Sequence, residues 1–327
     1  MTMEQKKKAK SNNPILGIIK HNWGILLALV GLFILFSVIS PTFLQVKNLS
    51  NILQQISMLC VCSVGMTFVI LAGGIDLSVG AILGMTGGIM AYMMTATSMP
   101  FGFAILIGII TGILTGMLNG VMITYFTLPP FIITLASSQI IRGIVYLLTK
   151  GQSIYGFPDG FRMLGRDIHG VPVPVLLMIA VIAISAFLLY KTKYGRYIYA
   201  IGGNGQASYL SGINVRAMTI FVYAYAGLTA TIAAIIMNAR LNAAAPTAGQ
   251  NYELNSIAAV VIGGTSMAGG EGKISGTIIG VLSIGVINNG MNLMNVSQGL
   301  QMVILGAVMI LAVVLDMLRR KSEKKKH

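Results

Sequence analysis

The alternation of apolar and polar stretches divides the chain into ten apolar runs, at about residues 22–40, 51–72, 77–97, 100–125, 131–149, 173–190, 217–237, 253–267, 273–295 and 298–317. A helix rises about 1.5 Å per residue and the hydrocarbon core of a bilayer is about 30 Å thick, so most of these runs predict spanning helices. The eighth run is short for a span; it must tilt, extend into its flanks or be partly re-entrant. The pattern predicts an all-α polytopic membrane protein with about ten transmembrane helices over 22–317, flanked by basic tails at 1–21 and 318–327.

The most informative interruption is Gly73-Gly-Ile-Asp-Leu-Ser-Val-Gly80, which places a carboxylate and a hydroxyl between two runs long enough to cross. Paired glycines after an apolar run read as a helix end, and Asp76 or Ser78 is positioned to cap the next helix. A break at membrane depth is tolerated only where it is buried in protein or lines water, so the stretch predicts either a lumen or a boundary loop; an ordinary short turn is the plain alternative. Gly263-Gly264 follows another apolar run, and Asn119-Gly120 echoes Asn289-Gly290, but the offsets differ and support a five-plus-five duplication only weakly.

Composition excludes several classes. With 55% hydrophobic and 9% charged residues and a mean hydropathy of +0.83, the chain cannot clothe a soluble surface. The net charge of +14 does not point to nucleic acid, because the cations sit in tails and loops. Sixteen of the 22 Lys and Arg fall on the side shared by the two ends if there are ten crossings: five in the first tail, Lys191, Lys193, Arg196 and Arg216 in one long loop, Lys273, and six after Asp316. That asymmetry supports ten spans with both termini in the cytoplasm. Cys60 and Cys62 lie two apart in an apolar run, where they point in different directions and support neither a disulfide nor a metal site.

The remaining polar residues offer a passage rather than a catalytic centre. Ala268-Gly-Gly-Glu-Gly-Lys-Ile274 lacks both the first glycine and the hydroxyl residue of a phosphate loop, so no ATP site is expected there and no cofactor is expected in this chain. Asp76 is the single acid placed to lie within the membrane, a thin basis for a proton relay. Thr134, Ser138 and Arg142 are spaced four apart and form one polar stripe on a helix; Asn288 and Asn292 repeat that spacing beside Asn289. Together with Asp76, Ser78 and Asn119 these are the candidate substrate-pathway residues. Amides and hydroxyls of this kind either hydrogen-bond a passing sugar or join neighbouring helices.

Two loops exceed a simple connection. The outer one, 150–172, is rich in glycine, aromatics and charge, with Asp159, Arg162 and Arg166 available to a partner and His169 read as a solvated residue. The inner one, 191–216, contains Asn204 as an N-cap and Gly212 as a stop, predicting a short helix along the membrane face that could dock into another protein.

With these residues in view the chain closely resembles the membrane permeases of bacterial ABC sugar importers, the ribose permease group in particular. The resemblance rests on Gly73 to Gly80, Tyr194 to Asn204, Leu210 to Val215, Pro246 to Leu254, Ile257 to Ser266, and Ile287 to Leu293 continuing to Asp316, and it covers nearly everything but the tails. It implies a permease homodimer in the lipid bilayer that carries a monosaccharide delivered by an extracytoplasmic sugar-binding protein. A separate ABC ATPase holding ATP and magnesium would supply the work. Ribose is the leading substrate, with xylose, galactose, allose or autoinducer-2 as alternatives; a stand-alone secondary transporter is the competing mechanism. It further implies that Gly203, Asn204, Gln206, Ala207, Leu210, Ser211 and Gly212 form the ATPase-coupling loop and that Arg162 and Arg166 face acids of the binding protein. Two departures stand out: Asn204-Gly-Gln-Ala207 where the family often has Asn-Glu-Ala-Ala, and Tyr252-Glu-Leu-Asn255 where Tyr-Glu-Leu-Asp is common.

Overall fold

The structure is a computed structural model that describes residues 23–168 and 170–324. The first basic tail, His169 and the last three residues lie outside the described residues. In chain order the first helices are α1 (Trp23–Ile39), α2 (Val46–Leu71), α3 (Val79–Ala96), α4 (Phe101–Tyr125) and α5 (Pro130–Thr149). A segment follows with β1 (Ile154–Tyr155), the single turn α6 (Asp159–Arg162), β2 (Asp167–Ile168) and β3 (Val171–Pro172). Then come α7 (Val173–Lys191), α8 (Lys193–Gly203), α9 (Gly205–Leu210), α10 (Val215–Leu241), β4 (Ala243–Ala244), α11 (Tyr252–Ile262), α12 (Ile274–Leu293) and α13 (Gln298–Lys324).

Each predicted apolar run contains a helix. Six of them (α2, α4, α5, α7, α10 and α12) are long and apolar enough to cross a membrane, while α1, α3, α11 and the apolar part of α13 are shorter. Over its apolar window α2 is 83% buried and α10 and α12 are each 72% buried, against 22% for α4, α5 and α7, so the first three form the centre and the others a rim. Rim helices exposing Leu, Ile and Phe outward are what a bilayer solvent requires.

Close approach of rim to centre depends on glycine. Gly108, Gly112, Gly116 and Gly120 repeat every fourth residue along α4 and form one flat face. A Cβ at Gly120 would lie 2.7 Å from Ile220 Cα, and one at Gly116 or Gly112 would collide with the carbonyls of Tyr223 or Gly227 on α10. Small-residue stripes of this kind let backbones meet, and dispersion does the rest where no hydrophobic drive operates.

The short eighth run is helical only over Tyr252–Ile262, about 16 Å, roughly half a hydrocarbon core. Asn251 begins it in a left-handed conformation, φ 65°, and Gly264, φ 82°, ends it. Non-helical segments flank it on both sides.

Candidate functional site

Two interruptions meet inside the bundle at Gly80. At the first, α2 ends where Gly73 turns left-handed, φ 81°, so that the Gly73 and Gly74 N–H groups donate back to Ile70 and Val69 carbonyls, each at 2.9 Å. Beyond that turn Asp76 is fully buried. Its Oδ1 accepts from the Ser78 N–H at 2.8 Å and from the Ser78 hydroxyl at 2.6 Å, and Ser78 Oγ accepts from Asn119 Nδ2 at 2.8 Å. The Ile75 carbonyl accepts from the hydroxyls of Thr134 at 3.3 Å and Tyr223 at 3.2 Å.

The expected capping role is corrected here. Ser78 stands at the N-cap of α3, but neither its side chain nor that of Asp76 bonds the helix's free N–H groups. An Asp side chain readily bonds its own backbone two residues on, and this local turn engages Oδ1 before the helix can. Asp76, Ser78, Asn119 and Thr134 thus gather into one buried polar cluster, in which Asp76 Oδ2 has no hydrogen-bond partner among the described residues.

The second interruption is 242–251, a strap with left-handed residues at Asn242, Gly249 and Asn251. At its start β4 pairs antiparallel with β1, Ile154 opposite Ala244 and Tyr155 opposite Ala243. Farther along, Ala248 O accepts from Arg142 Nη1 at 2.6 Å, and Gly249 lies against Gly80. Ser138 sits between Thr134 and Arg142 on the same face of α5 and is buried. The stripe read from sequence therefore faces the two interruptions.

Beside the strap lies a cavity of about 490 Å³, enclosed by α2, the end of the strap, α11, α12 and α13. Asn288 and Asn292 line it, whereas Asn289 turns away and forms a reciprocal buried amide pair with Asn48, at 2.9 and 3.0 Å. One asparagine of the three thus joins helices and two face open space.

Sequence reasoning missed most of this wall. Gln55 of α2, Gln250 and Asn251 of the strap, Asn255 of α11, and Gln298 and Gln301 of α13 bring the lining carboxamides to eight. Gln301 bonds Asn292 at 2.9 Å; the side chains of the other six make no hydrogen bond among the described residues. Among the described residues no acid lines the cavity. Its one cation among the described residues, Arg240, donates through Nε to Gln54 Oε1 at 3.0 Å, and Gln54 donates to Asp167 Oδ1 at 3.2 Å. The i, i+3 pair Gln298/Gln301, on one helical face, was a visible signal, as was Asn255 four residues after Asn251 at the helix start.

The bundle's two ends differ in character. At one, the 150–172 segment is fastened by buried Phe157 and Phe161, packed edge to face at 5.4 Å, while Asp159 is 81% exposed with Arg162 at 3.0 Å and Arg166 at 3.8 Å. Exposed pairs of this kind add little stability, so all three charges stay open to solvent.

At the other end, Asn204 caps α9 by accepting from the Ala207 N–H at 2.9 Å, Ser211 donates to Ala207 O at 2.9 Å, and Gly212, φ 83°, stops the helix. Gly203 and Gln206 are exposed, as are Tyr209 and Leu210, at 71% and 78%. The Tyr199 hydroxyl on α8 donates to Gly272 O at 2.8 Å, and burial raises its pKa, which keeps it a donor.

A helical bundle dressed for lipid around a carboxamide-lined cavity defines a membrane permease. The family model described as "Branched-chain amino acid transport system / permease component" matches residues 48–313, and the chain belongs to that family. It is 47% identical over 302 residues to the ribose import permease protein RbsC of Bacillus subtilis (strain 168), covering 91% of this chain and 93% of that one. Identity to the ribose import permease protein RbsC of Escherichia coli (strain K12) is 44% over 297 residues, 89% and 92% of the two chains. Identity to the D-allose transport system permease protein AlsC of the same organism is 38% over 323 residues, 98% and 99% of the two. No solved structure matches the chain.

Proposed function

We propose that this chain is the membrane-spanning subunit of an ABC importer for a neutral monosaccharide, ribose first among the candidates. The observation that carries this reading is the cavity wall: among the described residues eight carboxamides, six of them without a hydrogen bond, and no acid. A zwitterionic amino acid, as the family description would suggest, needs an anion for its ammonium group; a sugar needs donors and acceptors in pairs, which amides supply. The names of the relatives at 44–47% identity point the same way.

The rest of the assembly follows from the two ends. In this reading ten helices cross with both termini in the cytoplasm, which places α8 and α9 inside and the 150–172 segment outside. The exposed Tyr209 and Leu210 beside Gln206 suit docking of a separate ATPase, whose closure on ATP and magnesium would shift the permease between inward- and outward-open states. Gly205 stands where the family often carries an acid, so this contact lacks that charge and rests on apolar and amide groups. Arg162 and Arg166 suit an acidic rim on a sugar-binding protein, and a second permease copy completes the membrane portion.

The test is uptake of labelled ribose into proteoliposomes holding the permease. Uptake that needs the ATPase, ATP and the loaded binding protein is the expected result. Downhill uptake by the permease alone would replace this reading with a facilitator.

A further inference from the structure

The strap 242–251 has two faces with different duties. On one, Gln250 and Asn251 line the cavity. On the other, two and three residues earlier, Ala248 takes the 2.6 Å hydrogen bond from Arg142. α3 is flattened to receive this face: a Cβ at Gly84 would stand 2.8 Å from Ala248 O and 3.2 Å from Arg142 Nη1, and one at Gly80 would collide with Gly249 O.

We infer that Arg142 is a positioning residue, whose guanidinium fixes the strap in the shape that makes it a wall of the sugar cavity. This deepens the sugar-permease reading and rests on it. A buried guanidinium is costly in a membrane and is kept where it holds something. Here it does not form an ion pair. Glu253 Oε2 packs on Gly80, one helical turn from Gly84, and neither it nor Arg142 Nη2 has a hydrogen-bond partner. The hydrogen bond that Arg142 makes is to main chain, so it sets the path of the strap, while its charge also reaches the nearby Glu253 carboxylate. The strap's other restraints are local turns, with the Ala248, Gln250 and Tyr252 N–H groups donating to the carbonyls three residues back at 3.0, 3.1 and 3.2 Å, while the β1–β4 ladder holds its start; among the described residues Arg142 supplies the side-chain bond that ties its second half to another helix. That ladder also joins the strap to the 150–172 segment, so the cavity wall and the outer docking surface share one piece of backbone.

The experiment uses the full-length permease in membrane vesicles, with Cys60→Ser and Cys62→Ser to remove the two native thiols, both buried. A Gln250→Cys probe reports the strap and an Asn292→Cys probe the opposite wall, each by its rate of reaction with a water-soluble maleimide. Loss of a charge-assisted hydrogen bond is worth about tenfold, so Arg142→Gln is expected to change the Gln250→Cys rate about tenfold and leave the Asn292→Cys rate unmoved. In uptake assays the same variant, without probes, raises KM more than it lowers the maximal rate. Arg142→Lys, whose ammonium still reaches a carbonyl, restores part of both and is read by the same probes if the glutamine variant fails to assemble.

Equal rates at Gln250→Cys with and without Arg142 overturn the inference, as does an equal change at both probes. Neither result touches the sugar-permease reading, because the labelling needs no transport; failure of that reading shows instead as ATP-independent uptake with the labelling contrast intact.

Discussion

The two interruptions, 72–78 and 242–251, look alike in outline: each leaves a long central helix, bends at a left-handed glycine and feeds a shorter helix. They do different work. The first folds its polar groups inward, since Asp76, Ser78, Asn119, Thr134 and Tyr223 bond one another or the Ile75 carbonyl. The second stays open along one side, where its amides make no bonds within the protein and face the cavity. A charged residue between apolar runs draws attention because it is expensive to bury, yet here it stabilises backbone. The groups suited to a neutral sugar are uncharged and scattered over four helices and a strap.

The most severe way to break this comparison is at the point where the interruptions touch. Gly80→Val places two methyl groups into Gly249 O and the Glu253 carboxylate, and is expected to destabilise by about 3 kcal/mol or more, read as loss of monodisperse permease in detergent. Asp76→Ala removes the acceptor of two buried donors and should lower thermal stability by about 1–3 kcal/mol, with transport falling only as far as folded protein falls. Asp76→Asn keeps an acceptor oxygen and should transport nearly as well as the parent. A large loss of transport in well-folded Asp76→Asn would move the sugar path to the first interruption. The smallest effects separate neighbouring asparagines. Asn288→Ala should raise the KM for uptake about tenfold with unchanged melting, whereas Asn289→Ala should lower stability by about 1–2 kcal/mol with unchanged KM.

Much of the bundle was legible in the chain. Runs of apolar residues set the helices because a bilayer leaves the backbone no other partner, and Asn204 and Gly212 marked α9 because capping chemistry is local. The Thr134, Ser138, Arg142 stripe correctly gave one face of α5, though not what the face touches.

What sequence could not supply was the meeting of distant segments. Asn288 and Asn289 are equally polar and adjacent; only the position of Asn48 on α2, far away in the chain, makes one of them structural. The side-chain capping role expected of Asp76 or Ser78 failed because a local turn competes for the same oxygen. The glycines of α4, four apart, were a readable packing signal that passed unnoticed beside the charged positions.

A sugar that passes along the carboxamide wall, and not through the Asp76 cluster, is directly visible in a structure of the permease holding ribose within the membrane. Sugar hydroxyls are expected within hydrogen-bond distance of Asn288 and Asn255, with Asp76 still closed on Ser78. Sugar seated against Asp76 and Ser78, with the cavity between α2 and α13 filled by protein, would contradict that route.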